Sequence, residues 1–147
     1  TSPSVEGAVN ERVMLLGLPA HTEADRVALE MFAQLLEGTP FALQVGSVHA
    51  LSSEAVAMLA EGRHAAVCIA DLPPGSSSKA RYLVKRLAAA APRAKILVGR
   101  WAPPSLADEQ AKPIAGAGAV YVSSTLLEAR EQLYQLLPML SRQPRPV

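Results

Sequence analysis

His21 ends the stretch GLPAH, which follows the apolar run Val13-Met14-Leu15-Leu16. An imidazole there can ligate a metal, act as a base, or sit solvated in a turn. No second His, Asp or Glu at helical spacing makes a convincing metal pair with it, so the solvated turn residue is the expectation. Glu23 and Asp25 are expected to face solvent and to favour a helix N-terminus. Asp71 closes the run AAVCIAD, where a carboxylate can bond loop amides or pair with Arg100; that structural role is the favoured one. Arg100 and Trp101 follow the run AKILVG, and Ser76 stands at the start of a helical pattern. A small anion or an acidic segment could bind between His21, Ser76 and Arg100, with Lys79 and Arg81 near the same rim. Against this, Asp71 would neutralise Arg100. These considerations make His21, Asp71, Ser76, Arg100 and Trp101 the candidate ligand-binding set, with no catalytic and no metal-ligating residue. Cys68 lies among β-formers and reads as an inert core thiol. His49 and His64 fall in loops without a partner signal.

The elements that would position these residues alternate strictly. Strands are expected at Arg12–Leu18, Phe41–Val45, Ala65–Leu72, over AKILVG and over AVYVSS. Near-continuous apolar runs of this length suit strands buried on both faces. Helices are expected between them. The first is capped by Thr22, with Asp25 three residues on as a shorter relative of the capping box, and is stopped by Gly38. Val27, Met31, Leu35 and Leu36 are its expected apolar side. The second starts at Ser52 or Ser53 and runs through Ala60. The third follows the turn Pro73-Pro74-Gly75 and reaches about Ala91, the fourth spans about Ser105 to Ala115, and the fifth runs from Thr125 to Leu137, ended by Pro138. Alternating β and α elements with right-handed crossovers predict a flavodoxin-like three-layer sandwich with a parallel sheet in the order 2-1-3-4-5. In such sheets ligands sit beyond the carboxyl ends of the strands, at the switch point between strands one and three. His21, Asp71 and Arg100 all belong to those ends.

Composition narrows the function classes. The 147 residues suffice for one domain, expected over 12–138 between a linker (1–11) and a tail (139–147). A formal net charge of +1 argues against a general nucleic-acid binder. A single cysteine excludes an internal disulfide and a multi-cysteine metal site. No apolar run reaches the ~20 residues that span a bilayer. G-x-S-x-G, the Walker A motif and G-x-G-x-x-G after strand one are absent, and GAGAV at Gly116–Val120 precedes a strand and reads as a turn.

Three resemblances can be read residue by residue. Asp71 falls where the response-regulator receiver family has its phospho-accepting aspartate. GLPAH lacks that family's acidic pair, Gly99 stands in place of its Ser or Thr, and Ser123-Ser124 replace its Lys. The stretch PAHTEA resembles the D-x-H-x-x-G loop of cobalamin-binding domains. It keeps His21 in the position of the cobalt ligand but has Pro19 for the aspartate and Ala24 for the glycine. Ala70-Asp71-Leu72 stands for that family's S-x-L and Gly99-Arg100 for its G-G. Pro19 removes the group that would orient the imidazole, and Arg100 brings a long side chain to the nucleotide-tail channel. The chain therefore resembles a cobalamin-binding domain without the cofactor. The strings EADRVALEMFAQLLEG, VCIADLPPGSSSKARYLVKRL and AKILVGRW resemble the soluble C-terminal domain of permeases of the autoinducer-2 exporter (PerM-like) family, over about Arg12 to Leu137. That resemblance implies a cytoplasmic appendage tethered to a membrane through a longer chain.

The resulting expectation is a non-catalytic regulatory or ligand-sensing module with no cofactor. Its partners would be the rest of a larger chain, a small-molecule or anionic ligand, or a second copy of itself. The alternative is a cobalamin or corrinoid binder using His21.

Overall fold

The computed structural model describes residues 12–48, 52–74, 76–103 and 111–141. Its strands are β1 (Val13–Pro19), β2 (Phe41–Val45), β3 (Ala66–Ala70), β4 (Lys95–Gly99) and β5 (Tyr121–Ser123). Its helices are α1 (Glu23–Leu35), α2 (Ser52–Ala60), α3 (Ser78–Ala90), α4 (Ala111–Ala117) and α5 (Leu126–Ser141). The strands form one parallel sheet in the order β2-β1-β3-β4-β5. The expected flavodoxin-like architecture is thus observed.

Side chains alternate across this sheet with the period of two that a strand imposes. Leu15, Ala66, Cys68, Ala70 and Leu97 point to one face and pack with Leu29 and Phe32 of α1 and Leu133 and Leu136 of α5. Leu16, Leu18, Val67, Ile69, Ile96 and Val98 point to the other, against Ala55 and Leu59 of α2, Val84 and Leu87 of α3, and Ile114 of α4. Every residue of the central β3 is buried, which is why it reads as an uninterrupted apolar run. Burial pushes the Cys68 thiol up to about 12, so at pH 8 the native protein is expected to leave a disulfide reagent unconsumed and to react only when unfolded. Reaction of one thiol at native conditions would contradict this placement.

Two local expectations are corrected. The inward face of α1 carries Asp25, Leu29 and Phe32, continued by Leu36 at its C-terminus, while Val27 and Met31 are about half exposed. Val27 lies two residues past Asp25, about 200° round the helix, so a stripe that includes a carboxylate excludes it. Pro138 does not end the last helix, which continues to Ser141. Leu136 and Leu140 are both buried on the core side of that turn, and their packing outweighs the backbone bond that a proline cannot donate. Gly38 does stop α1, adopting a φ of 79° that other residues rarely take. The start expected for the fourth helix, near Ser105, lies outside the described residues, as do His49 and Gly75. Among the described residues no helix is long and apolar enough to cross a membrane.

Candidate functional site

The parallel ladder extends one residue beyond the strands, and this extension assembles the site. Ala20 donates its amide to Ala70 O at 2.9 Å, Asp71 donates to Gly99 O at 3.0 Å, and Arg100 donates to Ser123 O at 2.9 Å. His21, Asp71 and Arg100 therefore follow neighbouring strand ends in adjacent positions. Arg100 donates from Nη1 to Asp71 Oδ2 at 2.9 Å and to the Asp71 carbonyl at 3.1 Å. His21 Nε2 stands 3.2 Å from the other carboxylate oxygen, Oδ1. Asp71 and Arg100 are 0% and 2% exposed, whereas the His21 side chain is one-third exposed. The pairing of Asp71 with Arg100 is the structural role expected of it.

Asp25 ties this row to helix α1. Its Oδ2 accepts the amides of His21 and Thr22, and its Oδ1 accepts the amide of Leu72 at 2.9 Å. In return the Asp25 amide donates to the Thr22 hydroxyl oxygen at 3.1 Å, completing a capping box. Asp25 is 1% exposed, which corrects the solvent-facing expectation; Glu23, 64% exposed and paired with Arg26, meets it. The capping-box spacing placed Asp25 at the helix start. Its burial was hidden because it shares its face with Leu29 and Phe32, where a hydrophobic stripe would not include a carboxylate.

Burial pushes the Asp71 carboxyl above the ordinary aspartate range. Arg100 pulls it back by charge and by hydrogen bond, Asp25 adds to the rise and His21 opposes it. The donor atoms of His21, Asp25 and Asp71 lie within 4.8 Å of one another, close enough to surround a cation. Three of the four carboxylate oxygens of that trio already accept N–H bonds, the fourth, Asp71 Oδ1, faces His21 Nε2 at 3.2 Å, and the Arg100 guanidinium occupies the position of a countercharge. The chemistry of this arrangement is that of a locked hydrogen-bonded knot.

Trp101 turns the other way. Its Nε1 donates to Ser123 Oγ at 2.9 Å, and its ring meets Phe32 at a 5.4 Å centroid separation. The indole lies so close over Gly99 that a Cβ there would come within 2.3 Å of the ring. Glycine at the end of β4 is thus required by the tryptophan two residues on. Ser76 is exposed and accepts the Ser78 amide at the start of α3. The structure brings together His21, Asp71 and Arg100, seats Trp101 beside them, and leaves Ser76 outside the knot. Lys79 instead lines a separate cavity of about 260 Å³ on the α2/α3 face of the sheet, away from Trp101, walled by Leu18, Ala20, Ser52, Ala55, Tyr82 and Leu83.

His64, read from sequence as partnerless, is buried just before β3 and bonds Gln44 Oε1 through Nε2 at 2.9 Å. Burial, aided by the charge of Arg63, lowers its pKa below the ordinary 6.5. The unfolded chain then binds more protons than the folded one below that pH, so stability falls as the pH drops through about 6.5 towards the folded value. Urea unfolding between pH 8 and 5 should show this slope, and His64→Gln should flatten it; an unchanged slope in the variant would assign it to other groups.

No known family's sequence profile matches this chain, and no curated protein sequence does. Solved structures do share its fold. A cobalamin-binding protein from Desulfitobacterium hafniense DCB-2 superposes with a TM-score of 0.68 at 14% identity, covering 86% of this chain and 59% of its own. The monomethylamine corrinoid protein of Methanosarcina barkeri gives 0.64 at 17% identity, over 91% of this chain and 62% of its own. This chain thus spans about three-fifths of the length of either. A CheY-like protein (tadZ) from Pseudomonas aeruginosa PAO1 gives 0.60 at 17% identity, over 92% of this chain and 98% of its own. The chain has the doubly wound fold that cobalamin-binding and CheY-like proteins share.

Proposed function

We propose that this chain is a non-catalytic regulatory or ligand-sensing module, built on the fold of receivers and cobalamin-binding domains with the chemistry of both closed off. The observation that carries the reading is the state of Asp71. A phospho-accepting carboxylate must reach solvent and a magnesium ion, whereas Asp71 is fully buried and divided between His21 and Arg100. Nucleophilic attack from it would first require breaking a buried ion pair, which is strongly unfavourable.

Cobalamin does not fit the residues present either. The resemblance to that family calls for small residues at the end of strand four to pass the nucleotide tail. Here Arg100 is packed across the ends of β3 and β4, and the Trp101 indole covers Gly99. His21 has Pro19 in place of the orienting carboxylate, and its Nε2 already faces Asp71. Titration with hydroxocobalamin is expected to leave the visible absorbance unchanged up to tens of micromolar protein. A saturable spectral change that vanishes in His21→Ala would establish corrinoid binding instead.

The attachment to a membrane permease and a cytoplasmic setting belong to the same proposal, supported by the RYLVKRL and ILVGRW strings. Fractionation of the native full-length protein tests them: recovery in the membrane fraction is expected, and recovery in the soluble fraction would remove the permease from the reading. The sensing function is tested by native mass spectrometry of the domain purified from its own host. A retained small molecule is expected; a bare polypeptide would point to a protein-interaction module.

A further inference from the structure

We propose that the cavity between α2 and α3 is the ligand site, and that it takes a compact amphipathic monocarboxylate. This rests on the sensing reading and adds the place and the chemistry. The cavity opens at the carboxyl ends of β1 and β2, on the face of the sheet away from Trp101. Its volume of about 260 Å³ falls just below the ~300 Å³ at the lower end of ligand pockets. It has room for a short aliphatic chain or a single ring, and none for a dinucleotide or a corrinoid.

The lining sets the chemistry. Leu18, Ala20, Ala55 and Leu83 supply an apolar wall that favours a hydrocarbon body. Among the described residues, Lys79 is the charged side chain of the lining, and no carboxylate lines the cavity with it. Lys79 takes part in no ion pair among the described residues. One ammonium group matches one negative charge. A dianion would leave the second charge desolvated against an apolar wall, which is costly. The Ser52 hydroxyl and the Tyr82 phenol edge the same space, and Arg86 donates to that phenol at 3.2 Å. Lys79 also lies in the first turn of α3, where the helix dipole adds to the attraction for an anion. Asp71, by contrast, keeps Arg100 neutralised. The positive potential that a sensing site can use therefore lies at Lys79.

The experiment is an amide NMR titration at low salt with hexanoate and benzoate, and with hexanol and hexylammonium as controls. Both carboxylates should shift resonances of residues 18–20, 52–55 and 79–83, saturating in the millimolar range or below, while the controls leave them in place. Lys79→Gln, a surface change that should fold normally, should weaken hexanoate by about fivefold, the size of one exposed charge pair. Ala20→Leu keeps the lysine, fills the space and should abolish binding. Equal binding of hexanol and hexanoate would overturn the carboxylate assignment. Shifts confined to residues 19–25 and 71–72, or no shifts, would overturn the cavity as the site. A small molecule retained in native mass spectrometry equally by the parent and by Ala20→Leu would overturn it too while leaving the sensing reading standing, whereas a bare parent protein would remove both.

Discussion

Arg100→Leu should remove about 3–5 kcal/mol of stability at pH 8, the range seen when one partner of a buried ion pair is deleted. Leucine fits the apolar surroundings, so lost packing is a minor part. The loss comes from Asp71, left buried with only the one-third exposed His21 at Oδ1. A domain of this size has roughly 5–15 kcal/mol in all, so the variant should fold but melt some 6–20 °C lower, at about 2–4 °C per kcal/mol. The pH dependence identifies the cause. Burial already holds the Asp71 carboxyl above its ordinary value of 3.8, and Arg100 restrains that rise. Without Arg100 the folded-state pKa climbs further. The folded variant then binds more protons than the unfolded chain, so its stability increases as the pH falls towards 5. The deficit relative to the parent should shrink on acidification, and Asp71→Asn in the same chain should recover part of it at pH 8. A deficit that is constant with pH and untouched by Asp71→Asn would mean that Arg100 acts through packing alone.

Asp25→Ala should be the second large effect, a loss of about 2–3 kcal/mol. Two terms add. The helix cap contributes about 0.5–2 kcal/mol, and the Leu72 amide, left without its acceptor, about 1–3 kcal/mol. One term opposes them. Asp25 and Asp71 repel, with oxygens inside 4.8 Å, and two bare charges near that distance would interact by several kcal/mol at an effective dielectric of about 20. Asp71 is not bare, because Arg100 sits 2.9 Å from it, and three amides surround Asp25. The hydrogen-bond terms therefore win. Asp25→Asn keeps one carbonyl oxygen and relieves the repulsion, so it should lose about half as much. Urea unfolding of the three proteins decides the balance, and a stabilised Asp25→Ala would mean that the repulsion dominates.

These two residues mark where sequence reading succeeds and where it stops. The partnership of Asp71 and Arg100 was legible because each follows a strand of recognisable apolar type. Parallel neighbours in a 2-1-3-4-5 sheet put the ends of strands three and four side by side. Asp25 was legible only as a cap. The Leu72 amide that it accepts lies 47 residues away, and no periodicity in either segment encodes that distance. The Val27 and Met31 stripe misled for the same reason: hydrophobicity ranks residues by type, whereas the face of α1 that turns inward is set by what the sheet and the 71–72 loop present to it.

The sequence by itself determined the element order, the strand topology and the positions of the chemistry-bearing residues at the strand ends. Those follow from local periodicity, capping and the handedness of crossovers, all short-range properties of the chain. Only the tertiary structure decided which of those residues are spent and which remain available. Burial and pairing depend on neighbours from distant segments. Asp71 is closed off by His21 from the end of β1 and Arg100 from the end of β4, and the cavity at Lys79 exists only where β1, α2 and α3 leave a gap between their side chains.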